Sequence, residues 1–105
     1  MRRVNESLRE VLAAAITSEL KDPRIGFVTV TDVDTSPDLR AARVYVSVLG
    51  SEAERESAME GLSSAHGFLQ GKIASEMRIK RTPTLTFHYD ESVERGVRLS
   101  RLLDE

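Results

Sequence analysis

Residues 62–77 read LSSAHGFLQGKIASEM, and two helical patterns meet inside them. Leu69, Ile73 and Met77 recur one helical turn apart with Phe68 beside them, which predicts a helix from about Gly67 to Ile79. Upstream, Ser51 followed by Glu54 at the third position is a capping-box pattern, and it opens a helix that reaches about Ser64. Glycine is a poor helix former, so Ala65-His66-Gly67 reads as a break between two consecutive helices.

Before this pair of helices, Val4, Leu8, Val11, Leu12, Ala15, Ile16 and Leu20 share one face, predicting a helix over about 4–20. It stops at KDPR, where Pro23 lacks an amide hydrogen and disfavours helical angles at Asp22. FVTVTDV and RAARVYVSVL are rich in β-branched residues and read as two strands. The turn-forming Ser36, Pro37 and Asp38 between them favour an antiparallel pair. In the second strand Val44, Val46 and Val48 should lie under the first and third helices, with Arg43 and Tyr45 turned to solvent. TPTLTFHYD is a third strand, and Val93 to Leu102 suggest a closing short helix or turn. The order is α-β-β-α-α-β in one domain spanning 1–105, with helices covering one face of the sheet. Phe27, Phe68 and Phe87 are assigned to the core of so small a domain.

Composition excludes more than it selects. With 15 Lys and Arg against 17 Asp and Glu, any basic surface must be local. The absence of cysteine removes disulfides and thiol chemistry and suits a reducing cytoplasm. No apolar run is long enough for a membrane span or a signal peptide. His66 and His88 are the only histidines, and neither has a placed carboxylate and nucleophile, so no catalytic residues are assigned. Asp32 and Asp34 read as solvent-facing strand residues, so neither metal nor cofactor is expected. Charge changes sign at the helical break: residues 52–66 hold four glutamates and one arginine, whereas 67–82 hold Lys72, Arg78, Lys80 and Arg81 against Glu76. Those four cations could face one phosphate backbone.

The strings ELKDPRIGFVTVTDVDTSPDLRAARVYVSVLG and SAHGFLQGKIASEMRIKRTPTLTFHYDESVERG, in this order, resemble the ribosome-binding factor A family over nearly the whole chain. The resemblance implies a type II KH-like α+β domain with helices on one face of a three-stranded mixed sheet. In it Ala-x-Gly replaces the Gly-x-x-Gly loop of standard KH domains. Ala65, His66 and Gly67 would then form an interhelical kink, Gly67 supplying backbone freedom and close helix approach. Gln70 stands where relatives often carry a basic residue, and relatives with a charged C-terminal extension run past RLLDE.

The implied function is that of a cytoplasmic, monomeric, non-enzymatic assembly factor. It would bind 16S rRNA within immature free 30S subunits and assist late maturation and processing of the 16S 5′ end. The residues expected to meet phosphates are Lys72, Arg78, Lys80, Arg81, Arg43, Arg2, Arg3, Lys21 and Arg24. The alternative is a protein-interaction module using the open sheet face around Tyr45 and the acidic second helix.

Overall fold

The computed structural model describes residues 2–20, 22–77 and 81–91, and of Arg2 only the backbone. The elements are α1 (Arg2–Ser18), β1 (Val28–Thr35), β2 (Ala41–Val48), α2 (Glu52–Ser64), α3 (His66–Glu76) and β3 (Thr84–Tyr89). The sheet runs β1-β2-β3, with β1 antiparallel and β3 parallel to β2. The α-β-β-α-α-β order and the mixed sheet are those expected. The closing helix or turn around Val93–Leu102 falls outside the described residues.

The sheet works because β1 carries one residue too many. Val30 pairs with Val46 and Asp32 with Tyr45, so Thr31 is a bulge. Strict alternation from the buried Val30 would turn Asp32 into the core, whereas the bulge resets the phase to Val33 and leaves Asp32 and Asp34 exposed. Thr31 Oγ1 donates to Asp90 Oδ2 at 2.6 Å, tying the bulge to the end of β3.

The core lies between that sheet face and the helices. Leu8, Leu12, Ala15 and Ile16 of α1, Leu62 of α2, and Leu69 and Ile73 of α3 close over Val30, Val33, Ala42, Val44, Val46 and Leu85. Each fully buried Leu, Ile or Val contributes about 1.5–3 kcal/mol, so this cluster is the main source of stability. Val44 and Val46 are buried and Val48 is half-buried at the strand end, while Arg43 is exposed, as the alternation required. The cover is shared more widely than expected: α1 packs on β1 and α3, and α2 packs on β2 and β3.

Two aromatic assignments are corrected. Phe27 is 78% exposed, because β1 begins at Val28 with its side chain inward and alternation turns Phe27 outward. Phe68 is 49% exposed, since one residue along a helix is a 100° rotation and Leu69 and Ile73 hold the inner face. Only Phe87 packs against the core. The third helix also ends early: Met77 is extended, at φ −100° and ψ 134°, so the helical pattern stops at Glu76 instead of Ile79.

Candidate nucleic-acid interface

The turn between β1 and β2 is built by Asp38. Its Oδ1 accepts from Ser36 Oγ at 2.7 Å and from the Arg40 amide at 3.1 Å, and the Leu39 amide donates to the Ser36 carbonyl at 2.9 Å. These bonds hold Leu39 at φ 61°, a left-handed conformation that a leucine adopts only when its surroundings impose it. The Ser36 and Arg40 bonds keep the Asp38 carboxyl below its ordinary pKa. The Arg40 carbonyl in turn accepts from the Thr84 amide at 2.9 Å, which fixes the start of β3 beside the start of β2. Asp38, Leu39, Arg40 and Arg81 line one groove there. Arg43 projects from the open face three residues further along β2, opposite Thr86, at 3.2 Å from Asp34. Because β2 and β3 are parallel, both strands begin at this end, and so do their arginines.

The structure divides the cations expected at phosphates. Arg81 and Arg3 are exposed and make no ion pair with another described residue. Lys72 is held at 2.8 Å from Glu19 and 3.0 Å from Glu76, a link between α1 and α3 that raises its pKa. Arg24 grips Asp22 in the KDPR turn through its backbone amide and guanidinium, and these bonds lower the Asp22 carboxyl to about 2. Lys21, Arg78 and Lys80 and the side chain of Arg2 lie outside the described residues, although Arg78 and Lys80 immediately precede Arg81 in the chain. Arg40 was missed from the sequence. Its signal was the Asp-Leu-Arg turn, which sends that arginine to the strand end where Arg81 arrives.

The helical break performs a different task from the one expected. Ala65 is at once the C-cap of α2 and the N-cap of α3, without a side-chain cap for α3. A Cβ on Gly67 would meet nothing within 4 Å, so this glycine serves neither close approach nor an unusual φ. The close approach lies in α2, where a Cβ on the buried Gly61 would stand 2.6 Å from Ile25 Cγ1. That contact seats Arg24 and Ile25 on the helix. His66 and Gln70, one turn apart on α3, face the outer edge of β3. The Gln70 amide donates to the Pro83 carbonyl at 2.6 Å and accepts from the Leu85 amide at 3.0 Å, while His66 Nε2 lies 3.0 Å from the Leu85 carbonyl and so carries the hydrogen. Gln70 is therefore a lock on β3.

The opposite end of the sheet is acidic. After β2 the chain enters α2 through Ser51, whose side chain caps the Glu54 amide at 3.2 Å, and brings Glu52 and Glu54 to the strand ends where Asp90 and Glu91 follow β3. Arg55 leans over the Tyr89 ring at 4.4 Å, so Tyr89 is covered on the helix side, while Tyr45 pairs with His88 across the open face at 5.5 Å between ring centroids. The parallel pair thus begins among arginines, with Asp38 at 3.6 Å from Arg40 the carboxylate between them, and ends among carboxylates.

The Ribosome-binding factor A family model matches residues 1–103. The chain is similar to the crystal structure of ribosome-binding factor A from Thermus thermophilus, with 33% identity and a TM-score of 0.75 over 84% of this chain and 93% of the other. A Thermotoga maritima protein studied by solution NMR is 35% identical, with a TM-score of 0.74 and 83% of both chains covered. Coordinates of the Thermus factor fitted into a cryo-EM map of a 30S complex align with a TM-score of 0.69 at 33% identity, over 83% of this chain and 91% of that one. With the family pattern matched almost end to end and the same fold in relatives a third identical, this chain is a member of the ribosome-binding factor A family.

Proposed function

We propose that the protein is a monomeric, non-enzymatic assembly factor of the cytoplasm. It binds 16S rRNA within immature free 30S subunits and assists their late maturation, including processing of the 16S 5′ end. Family membership supports ribosome binding, and the relative fitted into a 30S map gives the subunit. The observation that carries the contact is the basic end of the sheet, where Arg40 and Arg81 share a groove with Arg43 nearby on β2. Arginine forks suit phosphate oxygens, and contacts of this kind position a protein on RNA without reading bases. Lys72 is left out of this surface, because two carboxylates already hold it.

Sedimentation through a sucrose gradient tests the proposal. The protein is expected to travel with free small subunits and not with complete ribosomes, and Arg40→Glu with Arg81→Glu is expected to leave it at the top of the gradient. Migration of the double variant with small subunits at the wild-type level would refute the assigned surface.

A further inference from the structure

Phe27 and Leu49 are 78% and 74% exposed. They are also neighbours, since the Leu49 amide donates to the Phe27 carbonyl at 3.1 Å and extends the antiparallel ladder one pair beyond Val28 and Val48. Val28 and Val48 pack against the core, so alternation turns the next pair to the open side. Two large apolar side chains facing the same way across a strand pair make a patch that water solvates poorly, and patches of this kind mark contact surfaces.

The surroundings say what covers it. Leu49 leads through Gly50 into the acidic first turn of α2, where the Glu52 side chain is 78% exposed and the Glu54 carboxylate folds back over Gly50. The cation of that turn, Arg55, is engaged with Glu52 at 3.7 Å and with the face of Tyr89. A phosphate backbone is repelled here. A polypeptide with an apolar side chain between lysines or arginines is complementary in both respects.

We propose that the Phe27–Leu49 pair and the Glu52–Glu54 turn form a second docking surface, for a basic protein segment, at the end of the sheet opposite the RNA-facing arginines. The proposal rests on the small-subunit reading given above. The test places p-benzoylphenylalanine at position 27 or at position 39, which lines the Arg40–Arg81 groove without supplying a phosphate contact, and irradiates each protein in complex with purified free small subunits. Position 27 is expected to join a Lys/Arg-rich protein segment, with the yield falling at least tenfold in Glu52→Lys, while position 39 joins RNA and is indifferent to Glu52→Lys. If position 27 joins RNA, a segment without basic residues, or nothing, while 39 joins RNA, this inference fails and the small-subunit reading stands. If 27 joins a basic protein segment and 39 joins no RNA, the docking surface stands and the RNA surface fails. If neither position joins anything, both fail.

Discussion

Gly61 and Gly67 show how little a glycine in a sequence says about its purpose. Gly67 drew attention because it stands at a visible break, yet its surroundings are open; Gly61 sits in an ordinary helical stretch, and its necessity comes from Ile25, thirty-six residues away. Gly61→Val is expected to destabilise the fold by about 1–3 kcal/mol through overpacking. Gly67→Val is expected to stay within about 0.5 kcal/mol of wild type, as at a free surface site. Equilibrium denaturation in urea measures both, and equal losses would contradict the contact assignments. The KDPR turn gives a second test at this scale. Because Arg24 lowers the Asp22 pKa from 3.8 to about 2, the stabilisation drawn from this carboxylate is complete above about pH 4 and disappears as pH falls through 2. In Arg24→Ala the Asp22 carboxyl loses the guanidinium but keeps the residue-24 amide, so its pKa is expected to rise part of the way toward its ordinary value, which an NMR titration reads directly.

At the scale of elements, hydrophobic periodicity and caps carried most of the information. The Ser51–Glu54 capping box, the antiparallel β1–β2 pair and the inward valines of β2 were legible because each rests on residues close in sequence. The β1 bulge was not, since nothing local in VTVTDV marks Thr31 as the extra residue until Asp90 and Tyr45 are in place. The role of Gln70 was likewise invisible, because its partners at Pro83 and Leu85 arrive through a later strand. Gln70→Ala leaves the Leu85 amide without that acceptor and is expected to cost about 1–3 kcal/mol. Gln70→Lys supplies a cation but no acceptor, so it is expected to lose stability by a similar amount and to gain no affinity for small subunits. Thermal melts and binding assays on the two variants separate a structural lock from a phosphate contact.

Across the whole molecule, near-neutral composition conceals a polar arrangement. The sequence showed a change of sign at Ala65-His66-Gly67, but the folded chain distributes charge along the parallel β2–β3 pair, with Arg40 and Arg81 at its start and Glu52, Glu54, Asp90 and Glu91 at its end. Linear order grouped Lys72 with the cations expected at phosphates; folding brought Glu19 beside it, and the proposed RNA surface leaves it out. Arg40 moved the other way, from a turn residue of no evident role to the neighbour of Arg81. The salt dependence of small-subunit binding tests this arrangement most directly. A plot of log affinity against log salt concentration compares wild type with Arg40→Ala/Arg81→Ala and with Lys72→Ala. The double variant is expected to lose about 0.7–0.9 in slope for each phosphate contact removed, while Lys72→Ala keeps the wild-type slope. An unchanged slope in the Arg40/Arg81 variant, or a reduced one in Lys72→Ala alone, would contradict the assignment of the RNA surface to the basic end of the sheet.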